Sequence, residues 1–442
     1  MFNIKKKKKV CLIIDNPLRD LDSMILLAYH LANKDVDVYL TSMQDQEYEI
    51  ASICPDYVLV NYVRPNNKSF LERIYRSGIK IGVLDTEGGA VIMDLEESLI
   101  YMIKNGAYTC VTDYFVWGKV QYNAIVNSKL IPSENIYITG TPRYDFCCEP
   151  WIKVYEHPNK NQNYILVNTN FPLIFPKFQT FEKEIETFNT LTNFSMSEII
   201  KITNEFHSNW ANLIESIIVI SKKFDIDIII RPHPFENELV YEKIFFNYKN
   251  VKIIKEGSVI PWLYYSNLLI HRDCSTAIEA SFMNVLAVSI EYPILFENHR
   301  QEIPRQVSEK VTDVNELINI TQKIIIKEKN FKNTELNKHI ASNWYRAIDG
   351  NSSELISNII LQKLQKNKTN YFIIFNIIYK SYRSKIKFLL RKFHIINQEI
   401  NSKKINITNA VNIINNLNKL KNKNISYSIS FLNKSIRIFE KS

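Results

Sequence analysis

Three short stretches of this sequence combine the residue types that proton transfer and phosphate recognition require. The first is Val83-Leu84-Asp85-Thr86-Glu87-Gly88-Gly89, two carboxylates and two glycines after an apolar run. A carboxylate there can accept a proton from a hydroxyl, while Gly88 and Gly89 permit a tight turn and close approach of a substrate. An ordinary polar turn with a helix cap is the plain alternative. The second is Ile228-Ile229-Ile230-Arg231-Pro232-His233-Pro234. Arg231 suits bidentate phosphate recognition. His233, stiffened between Pro232 and Pro234, can donate to a phosphate oxygen or a leaving group. The third is His271-Arg272-Asp273-Cys274-Ser275-Thr276-Ala277-Ile278-Glu279-Ala280. Ser275 and Thr276 open a helix, whose first N–H groups and positive dipole end attract phosphate. Glu279, one turn inside, is spaced to close a capping box or to hold a ribose. Simple N-capping is the rival reading of this stretch.

Weaker signals lie at Asn168-Thr169-Asn170, at Glu256-Gly257-Ser258 and at Gly140-Thr141-Pro142-Arg143-Tyr144-Asp145, each just past an apolar run. Turns commonly use such residues, but together they put polar loops repeatedly at strand ends. His157-Pro158 repeats the His-Pro dipeptide inside the polar stretch 157–163 and reads as part of a linker.

These residues can act together only if they stand at the carboxyl ends of parallel strands. The pattern supplies such strands. Apolar runs at 10–14, 36–41, 57–62, 79–84, 114–117 and 136–139 read as buried parallel strands, with amphipathic helices near 20–33, 67–77, 92–106 and 119–128 between them. The alternation restarts after the linker, with strands at 164–169, 225–230, 251–254, 267–270 and 286–290. A long helix is expected over 194–222, with others near 237–247, 275–283 and 313–328. The expected fold class is therefore α/β, with two Rossmann-type doubly wound domains at 1–150 and 151–350. From 351 to 442 stretches rich in Ile, Asn and Lys read as a basic helical tail.

Charge separates that tail from the body. Residues 351–442 carry 17 Lys/Arg against 3 Asp/Glu, whereas the first 350 carry 38 against 43. The net +9 belongs to the tail, which argues against a nucleic-acid-binding body. The six cysteines show no CxxC spacing and no His/Cys clustering, which argues against a zinc site and a disulfide scaffold. The nearest approach to a metal-binding DxD motif, Asp225-Ile226-Asp227, falls in an expected strand, so no metal is expected. The lysine-rich start runs into only five apolar residues before Asp15, a first strand rather than a secretory signal. With no apolar run of the roughly 20 residues a membrane span needs, a cytoplasmic location is expected. No GxxxxGK[ST], GxGxxG or GxSxG stretch occurs, which weighs against a P-loop kinase, a dehydrogenase and an α/β-hydrolase.

At these same residues the chain resembles the bacterial surface carbohydrate biosynthesis proteins. That group is similar to GT-B transferases that use CMP-activated sugars, among them sialyl-, polysialyl- and Kdo transferases. The matching positions are Asp85/Glu87-Gly88, His233-Pro234 and Ser275-Thr276, with Val116-Trp117-Gly118 and Gly140-Thr141-Pro142-Arg143 in support. The likeness covers roughly 8–345 and leaves the tail outside. Where the family has two adjacent acids before glycine, this chain reads Asp-Thr-Glu-Gly, so the catalytic carboxylate is either Asp85 or Glu87. The resemblance implies transfer of a sugar from a nucleotide donor, CMP-linked in that group, onto a glycan or lipid-linked glycan. No cofactor is implied beyond the donor. His-Pro and Ser/Thr motifs also mark CDP-glycerol phosphotransferases of teichoic-acid synthesis. A nucleotide-sugar 2-epimerase and a non-catalytic scaffold of polysaccharide assembly are the other readings.

On this view the donor meets Thr169, Asn170, Arg231, His233, Pro234, Gly257, Ser258, Ser275, Thr276 and Glu279, and the acceptor side comprises Asp85, Glu87, Gly88, Gly89 and Arg143. The tail segment from Tyr371 to Phe393 interleaves aromatic and aliphatic groups with Lys380, Arg383, Lys385, Lys387, Arg391 and Lys392. Such a segment suits an anionic membrane surface.

Overall fold

A computed structural model describes residues 7–86, 95–160, 163–191, 194–292, 302–326, 344–364, 379, 404–429 and 435–440. These fall into two compact units. One gathers the residues up to 155 together with those from 344 onward, and the other runs from 156 to 326.

The first unit is built on a sheet in the order β13-β14-β2-β1-β3-β4-β5-β6. Strands β1 (Lys8–Ile14), β2 (Val36–Ser42), β3 (Tyr57–Val60), β4 (Lys80–Leu84), β5 (Asp113–Val116) and β6 (Ile136–Ile138) are mutually parallel, with Val10 opposite both Val38 and Tyr57. Each coincides with an apolar run, because a strand covered on both faces tolerates polar side chains only at its ends. The helix Pro17–Ala32 follows β1. Asn16 caps it by accepting from the Leu18 amide at 3.1 Å, and the Asp20 carboxylate accepts from the Asn16 amide at 3.0 Å. This helix is buried on nearly every side, most completely over its apolar stretch from Met24 to Ala32.

What covers it comes from the far end of the chain. The helices Ser352–Lys363 and Ile407–Lys421 both pack on Pro17–Ala32. Asp145 holds the start of Ser352–Lys363, its carboxylate accepting from the Ser352 and Ser353 amides at 2.9 and 2.7 Å. Lys80 Nζ caps the other end by donating to the Lys363 carbonyl at 2.6 Å, and Lys8 donates to the carbonyl of Leu364. The tail is not wholly helical. β13 (Ile425–Ile429) and β14 (Ile436–Glu440) form an antiparallel hairpin, and β14 joins β2 with Ile436 opposite Leu40. The alternation Ile-Arg-Ile-Phe-Glu carries this, burying Ile436 and Ile438 while Arg437 turns out to meet Asp37 at 2.6 Å. The basic segment 371–393, apart from Tyr379, lies outside the described residues.

Two glycines singled out by sequence are explained by close approach. A Cβ on Gly118 would stand 2.2 Å from the Trp344 carbonyl oxygen, where the returning chain donates its Arg346 amide to Trp117 O at 2.7 Å. Gly140 has a φ of +72° and lies against Ser352.

The second unit carries an all-parallel sheet in the order β12-β11-β10-β7-β8-β9. Its strands are β7 (Tyr164–Asn168), β8 (Asp227–Arg231), β9 (Val251–Ile253), β10 (Leu268–His271), β11 (Ala287–Ile290) and β12 (Glu309–Val311). The helix Met196–Lys223 starts on a reciprocal capping box between Ser195 and Glu198, a sequence signal for the expected long helix. The strand β12 and the helices Gln46–Ile53 and Phe181–Leu191 were not expected from sequence. Three strand residues are too few to show periodicity, and those two helices have half-exposed, mixed faces.

Candidate functional site

In the second unit the loops after β7, β8, β9 and β10 are wired to one another, and the wiring begins with side chains at the strand ends. Asn168, the last residue of β7, donates from Nδ2 to Thr276 Oγ1 at 2.7 Å, and Asn170 donates to the Asp273 carbonyl at 3.0 Å. The loop after β7 is thereby tied to the start of the helix Thr276–Phe282. Ser275 occupies the N-cap without a side-chain capping bond. Its hydroxyl is therefore not committed to the capping role that the simpler reading required.

The loop after β8 holds His233. Its ring accepts at Nδ1 from the Phe235 amide at 3.3 Å, which leaves Nε2 to carry the proton of the neutral ring. The ring is half-buried beside Pro234. Beneath it lies Glu236, wholly buried, whose Oε2 accepts from Thr169 Oγ1 at 2.7 Å and from the Phe171 and His233 amides at 3.3 Å each. Tyr241 donates its hydroxyl to Oε1. Burial raises the Glu236 carboxyl above the usual range, and these donors oppose the shift. Sequence reasoning passed over Glu236. The available signal was its place three residues after His233 in His-Pro-Phe-Glu, close enough for its carboxylate to turn back on the loop.

Arg231 departs from its expected role. Its guanidinium donates to the carbonyls of Glu256, Gly257 and Lys255 at 2.9, 2.7 and 3.4 Å and lies 5.6 Å from the Trp262 ring. It is buried, which lowers its pKa to about 10 and still leaves it charged near neutrality. The side chain turns inward from the strand end and clamps the loop after β9, so its donors meet carbonyls rather than standing open for phosphate. Within that loop Gly257 takes a φ of +73°, and Ser258 caps the helix Val259–Tyr264 by accepting from the Ile260 amide at 3.4 Å. Glu279 is wholly buried inside its helix. Asp227 is bound to Lys252 at 2.7 Å and Asn159 at 3.2 Å, a structural use of the DxD-like pair. Among the described residues no cluster of His, Cys, Asp or Glu is arranged to hold a metal. His157 packs against Tyr265 with ring centroids 4.4 Å apart.

In the first unit a pocket opens at the carboxyl end of the sheet. Asp20, Ser23, Asn61, Asp85 and Arg143 supply its polar wall, and Met24 and Trp117 part of its apolar wall. Asp85 follows β4 and is buried, 3.9 Å from an Arg64 nitrogen. The Trp117 indole N–H donates to the Asp85 carbonyl at 2.7 Å, and the Thr86 amide donates to Asn61 O at 3.2 Å. The root of the acidic loop is thus fastened on two sides. Glu87, Gly88 and Gly89 lie outside the described residues. Arg143 is half-buried just after Thr141, whose hydroxyl caps the short helix Pro142–Asp145. Asp20, Ser23, Asn61 and Trp117 were not assigned to a site by sequence, because they come from three places far apart along the chain, the helix after β1 and the loops after β3 and β5.

Two Rossmann-like α/β units, each with polar loops at the carboxyl edge of a parallel sheet, define the fold class of GT-B-type enzymes. Among solved structures, the chain is similar to the Methanocaldococcus jannaschii UDP-GlcNAc 2-epimerase in complex with UDP-GlcNAc and UDP. Identity is 14% and the TM-score 0.51, over 80% of this chain and 99% of that one. It is similar to S. aureus MnaA with UDP at 16% identity and a TM-score of 0.52, over 81% and 97%. It is also similar to the wall teichoic acid polymerase TagF at 12% identity and a TM-score of 0.50, over 82% and 90%. At these identities the likeness is one of fold. No protein-family model matches the sequence, and no curated protein matches it.

Proposed function

We propose that this chain is a nucleotide-sugar-dependent glycosyltransferase of bacterial surface polysaccharide synthesis. The observation that carries the reading is the convergence of Asn168, Asn170, His233, Ser275 and Thr276 at the carboxyl ends of β7, β8 and β10. Parallel sheets bind phosphorylated ligands at that edge. The Ser275 hydroxyl, the first amides of the helix and the His233 Nε2–H would receive the donor's phosphate and neutralise it as it departs. In the first unit the pocket beside Asp85 would take the acceptor, and Asp85 or Glu87 would accept the proton of the attacking hydroxyl. Arg231 contributes by holding the loop after β9. The motif resemblance favours a CMP-activated sugar of nonulosonic or Kdo type, with CDP-polyol as the phosphotransferase variant. The tail segment 371–393 would meet anionic lipid, where a lipid-linked acceptor resides.

The fold neighbours support a second reading, a UDP-GlcNAc 2-epimerase. One experiment separates the two. The protein is screened by thermal shift against CMP, CDP, UDP and GDP, then incubated with UDP-GlcNAc alone. Stabilisation by CMP or CDP with no change to UDP-GlcNAc supports transfer. Conversion of UDP-GlcNAc to its 2-epimer without any acceptor would replace the transferase reading.

A further inference from the structure

We propose that Glu236 is the positioning residue of the second unit's site: its carboxylate holds His233 and the loop after β7 in the arrangement that receives a nucleotide's phosphate. The proposal rests on the nucleotide reading above. Glu236 sits at the meeting point of two chain segments that are over 60 residues apart, and a single oxygen, Oε2, bonds to both. Thr169 and Phe171 approach it from the loop after β7, and the His233 amide from the loop after β8. The segments also lie edge to edge, with the Lys177 amide donating to Phe235 O and the Asn237 amide to Phe175 O, at 2.9 Å each. Lys255 adds a third loop by donating to the Glu236 carbonyl and pairing with Glu238 at 2.9 Å.

A buried carboxylate persists only where its oxygens are satisfied, and here the donors include the two backbone amides whose orientation decides where the loops point. The His233 amide turns inward to Oε2 and the Phe235 amide donates to Nδ1, so both the backbone and the ring of His233 are held in one orientation. A ligand-contacting group holds its geometry only when a neighbour locks it, and the Glu236 carboxylate joins Thr169 and Phe171 of one loop to the His233 amide of the other. Glu236 touches no ligand in this scheme; it acts through His233 and Thr169.

The test uses the full chain and two probes, UDP and CMP, with hydrogen exchange on the nucleotide-free protein. Glu236→Gln should raise exchange jointly at 169–171 and 233–236 and weaken the nucleotide that the wild type binds by about tenfold or more. If Glu236→Gln does not fold, Glu236→Asp, which keeps the charge but draws it back, should act in the same direction. Tyr241→Phe removes the donor on Oε1 while keeping the donors on Oε2, and should leave nucleotide affinity within about twofold. Because coupled residues are not additive, Glu236→Gln combined with His233→Ala should bind no more than about twofold more weakly than His233→Ala alone. Multiplied losses in the double variant would show that Glu236 does not act through His233 and would overturn the proposal. If the wild type binds neither probe, the donor reading fails, and exchange still decides the wiring: unchanged protection of both loops in Glu236→Gln overturns it.

Discussion

Asp85 and His233 are the residues on which the proposed chemistry rests, and their surroundings differ. Asp85 is buried at a strand end near Arg64, whereas His233 is half-buried with one ring nitrogen already engaged. Replacing His233 with alanine should lower turnover by about 10²-fold, the usual scale for a lost acid or electrostatic contribution. The melting temperature should barely move, because the ring is partly exposed. Assay with the donor found in the nucleotide screen checks this, and unchanged turnover rejects the role. Asp85→Asn should abolish transfer while leaving the dissociation constant for the nucleotide unchanged, since the residue belongs to the other unit. Glu87→Gln in parallel identifies which acid serves. If both variants transfer normally, the proton acceptor is elsewhere.

Among the elements, the helix Pro17–Ala32 has the most consequential neighbours. His30 near its end packs against Trp151, with ring centroids 5.3 Å apart, while Lys421 Nζ lies 4.4 Å from the centroid of the same indole. Burial pushes the His30 pKa down to about 4; Glu354 opposes the shift, and Lys34 and Lys421 add to it. The unfolded chain titrates near the ordinary value of about 6.5. His30 therefore binds more protons unfolded than folded across that window. Its contribution to stability is complete above about pH 6.5 and is lost progressively as pH falls toward about 4. His30→Phe keeps a ring against Trp151 and removes the titrating nitrogen. Melting curves between these limits should fall less steeply for the variant, and parallel curves would show that His30 carries none of the acid sensitivity.

For the whole molecule, the tail is part of the first unit's structure as well as the bearer of the charge. The helices Ser352–Lys363 and Ile407–Lys421 cover Pro17–Ala32, and β14 extends the sheet. Cutting the chain after 350 should therefore lower the melting temperature or solubility of the whole protein, so truncation is a poor probe of lipid binding. Neutralising Lys380, Arg383, Lys385, Lys387, Arg391 and Lys392 to glutamine leaves those packed elements alone. Each basic group near an anionic bilayer contributes about 1 kcal/mol, so wild type should float with anionic liposomes and the neutralised variant should not. Equal flotation of the two, or none for the wild type, removes the membrane role.

Most of the strand and helix alternation of both units, and the placing of Asp85, His233 and Ser275 just beyond strands, was legible in the sequence. A buried parallel strand is a continuous apolar run, and the first polar residue after it marks its end. Those are local properties, readable within a few residues. What each polar side chain meets was decided only by the tertiary structure. Arg231 has the residue type of a phosphate ligand, yet folding places three carbonyls from 255–257 around it. Glu236 looks like an ordinary turn residue until Thr169, 67 positions away, donates to it. The tail reads as a separate basic segment because charge can be counted along the chain, whereas the pairing of β14 with β2 joins residues almost 400 positions apart. Hydrogen-bond partners and burial are set by such distant approaches, and no local pattern of residue types encodes them.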